Sequence, residues 1–442
     1  MTIVAKFGGS SLANAERIIQ ACDIIQSSHE RSCIVVSAPG AQYPGDIKVT
    51  DALGMLVNAM RDRDEQGVKT ARAFVQQRFE AIVDDLNIDF DLQTHLRVIR
   101  EACERNGCSA KDWIISRGEW LNAQIVAKKL GYTFIDAEDF ICLNGNQRWN
   151  PEYTKAAWRN LDLPRERIVV PGYYGRDNVE QTRTFKRGGS DITGAIMAVL
   201  LDAQKYENWT DVDGVLVADP RITQNPLCIP EITYLELREL AYMGARVLNP
   251  ESLIPELRQK GITVHVRNTF NPDTPGTKIV PEATEDRIPG SVVGIAGRKG
   301  FSSIDIYSYL MQEQVGFVGT ATAKLAVHDI SIDHVPTGID MLSLVIASDQ
   351  LDGKADQIQR ALQQSNDPDS MVITNDLALI CVVGSAMANN PGVLMRAAKA
   401  FADADVNIEL VSQARGEKSM VFGIKEDDYE RAVTSIYAEF FE

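Results

Sequence analysis

The chain has 442 residues, of which 45% are hydrophobic and 24% charged, enough to build several cores across two to four domains. Its formal net charge of -16 supplies no overall basic field, which argues against a nucleic-acid backbone or an anionic membrane as partner. An anionic substrate must therefore be held by local Lys and Arg.

The N-terminal run MTIVAKFGGSS reads as a strand entering a Gly-rich turn, without the charged-then-apolar pattern of an export signal. Apolar runs such as 195–201 are too short to span a bilayer, so a cytoplasmic protein is expected. The seven cysteines are scattered, with no CxxC pair and no histidine at ligand spacing, and read as reduced, mostly buried thiols without structural zinc.

Apolar β-branched runs at 2–7, 33–36, 133–136, 167–170, 206–210 and 263–266 alternate with helical patterns. This predicts a mostly parallel sheet with helices on both faces, whose ligands gather at the carboxyl ends of the strands. The charged stretch 61–69 and the helical pattern over 70–105 look like an insertion packed on that sheet, of unreadable function. Pro, Gly and Ser cluster around 289–300, where the main domain boundary is expected. Beyond it the sequence repeats: with Gly316 on Gly392, Phe317 falls on Val393, Leu325 on Phe401, Asp329 on Asp405 and Ile332 on Ile408. Each copy reads as strand, Gly-bearing turn, helix, strand, a small α+β unit suited to side-by-side packing or dimerisation.

Four segments could carry chemistry. In Lys6-Phe7-Gly8-Gly9-Ser10-Ser11 a lysine ends the first strand and a glycine pair opens a helix, which suits a phosphate; a plain turn capped by Ser10 or Ser11 is the alternative. The lysine precedes the glycines, so this is not a Walker A loop. Lys186-Arg187-Gly188-Gly189-Ser190-Asp191 repeats the pattern before a helix at 192–201, where Ser190 or Asp191 could equally be caps. Together the two turns offer the double cradle that a nucleotide and an anionic acceptor need. Thr210-Asp211-Val212-Asp213-Gly214 could hold ribose hydroxyls or Mg²⁺-bound waters, or serve only as a turn. Glu119, in Ser116-Arg117-Gly118-Glu119, reads as the acidic member of a capping box.

In order along the chain, KFGGSS (6–11), SAPG (37–40), KVTD (48–51), GEWLNA (118–123), RGGSDITGA (187–195), TDVDGV (210–215), ADPR (218–221) and RVLNPESL (246–253) resemble the aspartate kinases of the amino-acid kinase family, and the C-terminal repeat resembles a tandem ACT pair. The resemblance implies a three-layer α/β/α kinase domain with a mostly parallel sheet over 1–295, then two ferredoxin-like ACT domains over 300–375 and 376–442. It implies ATP-dependent phosphorylation of the side-chain carboxylate of L-aspartate, the first step of lysine, threonine and methionine biosynthesis, with Mg²⁺ accompanying ATP and no direct protein ligand to the metal. It assigns catalysis to Lys6 and Asp191, and aspartate binding to Thr50, Glu119, Arg187 and Ser190. Lys6, Phe7, Gly8, Gly9, Thr210, Asp211, Arg221 and Arg246 would bind ATP. Met311, Gln314, Gly316, Ser331 and Asp333 would line the site of an amino-acid effector, lysine or threonine or both, in a homodimer or higher homo-oligomer. So assigned, Glu119 would cap its helix and take the substrate ammonium at once.

Arg246 and Asn249 stand where the family commonly has lysine and histidine, Leu216 where an aromatic often meets the adenine, and Lys186 where a glycine is usual. Two other readings are a kinase of another carboxylate such as glutamate, and a sensor without turnover. The end at Glu442 leads us to expect a free-standing kinase rather than one fused to a dehydrogenase.

Overall fold

A computed structural model describes all residues except 1, 163, 187, 246–254, 284–290, 388–389, 414–415 and 417. The chain divides into two compact units, one made of Met1–Val215, Cys228–Tyr234 and Arg246–Ala283, the other of Leu216–Leu227, Leu235–Ala245 and Thr284–Glu442.

The strands of the first unit are β1 (Ile3–Phe7), β2 (Arg31–Val36), β3 (Thr133–Phe134), β4 (Ile168–Pro171), β5 (Tyr174–Arg176), β6 (Thr182–Thr184), β7 (Lys205–Thr210), β8 (Glu231–Thr233), β9 (Thr263–Asn268) and β10 (Thr277–Val280). Its helices are α1 (Ala15–Gln26), α2 (Val49–Asp62), α3 (Glu65–Leu86), α4 (Leu92–Asn106), α5 (Lys111–Leu130), α6 (Pro151–Asn160), α7 (Gly189–Leu200) and, after the helix α8 (Tyr234–Tyr242) that clusters with the second unit, α9 (Pro255–Gln259). Eight strands form one sheet in the order β3-β4-β2-β1-β7-β9-β10-β8, and β5 pairs with β6 as a separate ribbon. Every pair in the large sheet is parallel except β9 with β10. All six runs marked in the sequence are strands of this sheet. Strands β1 and β2 are buried throughout, as a parallel sheet covered on both faces requires.

The helical pattern expected over 70–105 is two helices. Asn87, at φ 49°, ends α3 in the left-handed conformation, and Asp91 caps α4 by accepting the Thr94 amide. Ala71, Val75, Phe79, Ile82 and Val83 of α3 share one core with Ile34 and Val36 of the sheet and Leu53 and Leu56 of α2. The insertion is therefore part of the main core and not an appendage to it.

The second unit holds β11 (Gly294–Tyr307), α10 (Phe317–Val327), β12 (Met341–Ala347), α11 (Ala355–Asn366), β13 (Ser370–Val383), α12 (Val393–Asp403), β14 (Leu410–Ser412), β15 (Ser419–Lys425) and α13 (Tyr429–Phe441). Its antiparallel sheet runs β12-β11-β13-β15-β14. The two copies of the repeat share two long strands. Residues 301–307 of β11 lie between β12 and the first half of β13, whereas 294–298 pair with 379–383 in its second half. Gly316 and Gly392, the residues that aligned the repeat, precede α10 and α12 at φ 87° and 93°, where a side chain would be strained. Residues 330–335, after α10, form no regular strand; Asp333 and His334 pair with Val345 of β12.

Candidate active site

At the carboxyl ends of β1, β2 and β7 a cleft of about 1440 Å³ opens within the first unit. That exceeds the roughly 300–1,000 Å³ of a single small-ligand pocket. Lys6, Gly8, Gly9, Thr50, Glu119, Ser190, Asp191, Thr210 and Asp211 all line it, so residues spread over more than two hundred positions converge as the parallel topology demands.

Lys6 is the penultimate residue of β1, with a side chain 9% exposed. Its Nζ lies 2.6 Å from Asp191 Oδ1 and donates to Asn208 Oδ1 at 3.1 Å. Asn208, on the neighbouring β7, donates its own amide to Asp191 Oδ1 at 3.1 Å. The register pairs Lys6 with Asn208, so the three groups form a closed triangle fixed by the sheet. Sequence reasoning missed Asn208, whose run YENWT signals only a strand.

Gly9 follows in a tight turn whose carbonyl accepts the Gly40 amide at 2.9 Å. A Cβ on Gly40 would lie 2.5 Å from the Gly9 carbonyl carbon, so only glycine permits the approach of the two turns. Neither Ser10 nor Ser11 caps α1. They form a short 3-10 turn, and Asn14 caps the helix by accepting from the Arg17 amide. The other turn enters α7 three residues earlier than expected, with Gly188 at φ 60° as its N-cap and Ser190 and Asp191 inside the first turn, neither as a side-chain cap.

Glu119 caps no helix. Helix α5 begins at Lys111, so Ser116 and Glu119 lie in its middle and form no capping box; Ser116 Oγ donates to the Trp113 carbonyl. Freed from any capping role, Glu119 is 4% exposed, and its Oε2 has no hydrogen-bond partner among the described residues. Burial pushes its carboxyl up to about 8, the Ala38 amide and the Arg117 charge only partly countering this. A buried carboxylate that lines a cleft with one oxygen unsatisfied is arranged for a cation that arrives with the ligand. Tyr173 also lines the cleft, at φ 81°. Its phenol is pushed up by burial. No motif in the sequence singles it out.

Phe7 keeps its side chain in the core, stacked on Trp209 at 5.9 Å, which leaves only its backbone available to a ligand. Arg221 is bound to Asp219 at 2.5 Å, falls in the second unit and is not among the residues lining the cleft. Arg187, Arg246 and Asn249 lie outside the described residues. In the second unit Met311, Gln314 and Gly316 line a hollow of about 230 Å³ with Thr337 and Gly338. Ser331 and Asp333 do not line it: Ser331 bonds Gln350, and Asp333 accepts from the Tyr242 hydroxyl at 2.6 Å.

The model of the amino acid kinase family matches residues 1–268, and an ACT domain model matches 380–440. Aspartokinase 3 of Bacillus subtilis is 38% identical over 99% of this chain and 98% of its own length. The chain belongs to the aspartokinases of the amino acid kinase family. The crystal structure of the aspartate kinase of Clostridium acetobutylicum covers 99% of this chain and all of its own, at a TM-score of 0.91 and 37% identity. Two structures of Escherichia coli aspartokinase III share the fold over all of both chains. The one with aspartate and ADP has a TM-score of 0.78 and 23% identity, the one with lysine and aspartate 0.71 and 24%. For this aspartokinase the antiparallel ACT sheet and the mixed kinase sheet are thus those of its family.

Proposed function

We propose that this aspartate kinase transfers the γ-phosphoryl group of ATP to the side-chain carboxylate of L-aspartate, giving 4-phospho-L-aspartate, within the cleft of the first unit. The observation that carries this reading is the buried carboxylate of Glu119, whose Oε2 has no hydrogen-bond partner among the described residues, in the same cleft as the Lys6, Asp191 and Asn208 triangle. One feature suits an ammonium, the other a transferring anion.

The acceptor is ionised at neutral pH, since its ordinary pKa is about 3.9, so no general base is needed. The difficulty is bringing one anion to another. Lys6 offers its charge with little reorganisation, because Asp191 and Asn208 already fix Nζ. The Gly8–Gly9 turn would take the nucleotide phosphates; Gly9 leaves little room for a side chain, since a Cβ there would lie 3.0 Å from the Ala38 carbonyl oxygen. Glu119 would hold the aspartate ammonium; by family resemblance Arg187 would take a carboxylate, and Thr50 and Ser190 would also hold the substrate. Thr210, Asp211 and Arg246 are our further nucleotide assignments, from family resemblance; the resemblance also names Arg221, which pairs with Asp219 instead. Mg²⁺ would come with the nucleotide and screen its phosphate charge; of the carboxylates lining the cleft, Asp191 and Asp211 would hold its waters.

We further propose that 1–295 is the kinase domain, that 300–375 and 376–442 are ACT domains with 294–298 completing the second, and that lysine or threonine binds at Met311, Gln314 and Gly316, with Ser331 and Asp333 reached by rearrangement. A homodimer in the reducing cytoplasm is the assembly and compartment we propose, consistent with seven free thiols. Hydroxylamine trapping with Mg-ATP tests the reaction. Aspartyl hydroxamate from L-aspartate but not from L-glutamate is expected, and product with neither amino acid would reject the reading.

A further inference from the structure

Residues 40–46 carry none of the roles above, yet Gly40, Ala41, Gln42, Tyr43 and Pro44 form part of the cleft wall. The segment is held at several points. The Gly40 amide donates to the Gly9 carbonyl at 2.9 Å, which ties the loop to the first glycine turn. Arg17 donates to the carbonyls of Ser10 at 2.9 Å, Ala41 at 3.3 Å and Gln42 at 3.2 Å.

A further tie comes from the insertion. Arg78 of α3 donates through Nη1 to the Gly40 carbonyl at 3.0 Å, and through Nη2 to both oxygens of Asp46, at 2.9 and 2.7 Å. Asp46 in turn accepts the amides of Gln42 at 2.8 Å and Ile47 at 2.9 Å. The Arg78 and Asp46 side chains are 8% and 6% exposed. A buried ion pair is a poor source of stability, because desolvation consumes much of the attraction. Its planar fork does, however, fix two points at once, here the Gly40 peptide and the loop's far end at Asp46. The Gly40 peptide is the one whose amide sets Gly9.

We propose that Arg78 is a positioning residue for phosphoryl transfer: from a helix outside the cleft it holds loop 40–46 against Gly9. The proposal rests on the phosphate role assigned to the glycine turn. Arg78 touches neither proposed substrate, so loosening the brace misaligns them rather than unbinding them. Small misplacements of this kind weigh on kcat, by up to about a hundredfold per ångström.

The test is steady-state hydroxamate kinetics on the full chain with Arg78→Lys, Asp46→Asn, the double variant and Phe79→Leu, with thermal unfolding of each. Phe79 is a wholly buried neighbour on the same helix and serves as the stability control. Expected is a fall in kcat of roughly tenfold or more for each single variant with KM for both substrates changed less than about threefold. The double variant should be no slower than the worse single, since both break one unit. Phe79→Leu should lower the melting temperature while leaving kcat within about twofold. Normal kcat in Arg78→Lys, or a loss that Phe79→Leu matches at equal melting temperature, overturns the positioning role alone. Wild-type protein that forms no aspartyl hydroxamate overturns the kinase reading and this proposal with it.

Discussion

Glu119 makes the binding of aspartate depend on pH in a way set by its burial. With its carboxyl pushed up to about 8, the group is largely protonated in the free enzyme at neutral pH. The ionised fraction is ~1% at pH 6, ~9% at pH 7 and ~50% at pH 8. If the substrate ammonium binds only the ionised form, the apparent dissociation constant is the intrinsic one divided by that fraction. Affinity should then rise ~50-fold from pH 6 to 8, a range in which the substrate's own side-chain carboxylate does not titrate. Binding at pH 7 should also release ~0.9 proton, which calorimetry in buffers of different ionisation enthalpy measures directly. Glu119→Gln should bind weakly and without slope. The folded-state value lies above the unfolded one, so protonation of Glu119 stabilises the free fold fully below about pH 4, and that contribution is lost as pH rises through about 8. The glutamine variant should therefore escape the loss of melting temperature that wild type shows across that window. Equal affinity at pH 6 and 8, or binding without proton release, would refute the assignment.

Lys6→Ala should reduce hydroxamate formation by ~10²- to 10³-fold, because a fixed charge at the transferring group is lost while Asp191 keeps the Asn208 amide. Gly40→Ala drives a Cβ to 2.5 Å from the Gly9 backbone. It should lower both the melting temperature and activity, at a cost of about 1–3 kcal/mol for the forced shift. Arg117 is 4% exposed and lies over the rings of Trp113, Trp120 and Tyr174 while pairing Glu138 at 3.4 Å. Arg117→Ala should cost about 2 kcal/mol or more in chemical denaturation, chiefly through the lost stacking on three rings, because Glu138 is 25% exposed and keeps the Thr182 hydroxyl. Gly316→Ala, at φ 87°, should cost about 1–2 kcal/mol and shift the thermal response to lysine or threonine, if the hollow at Met311 and Gln314 is the effector site.

Much of this fold was legible because its signals are local. Six β-branched runs between helical patterns dictated a parallel sheet, and parallel sheets bring their carboxyl-end turns together, so KFGGSS, RGGSD and TDVDG could be expected to meet before any distance was known. The repeat alignment on Gly316 and Gly392 held because both positions require a positive φ that side chains resist. What the sequence misstated were groups whose environment comes from elsewhere in the chain. Ser116 and Glu119 have capping-box spacing, but α5 starts earlier, and tertiary burial turned Glu119 from an expected helix cap into a carboxylate with one oxygen unsatisfied. Asn208 became part of the site only because strand register set it beside Lys6. The insertion could not be interpreted from composition, since its bearing on the cleft runs through one arginine that reaches a loop thirty-two residues away. Periodicity and glycine placement act over a few residues and are written in the chain; burial, register and long-range ion pairs exist only once distant segments have packed.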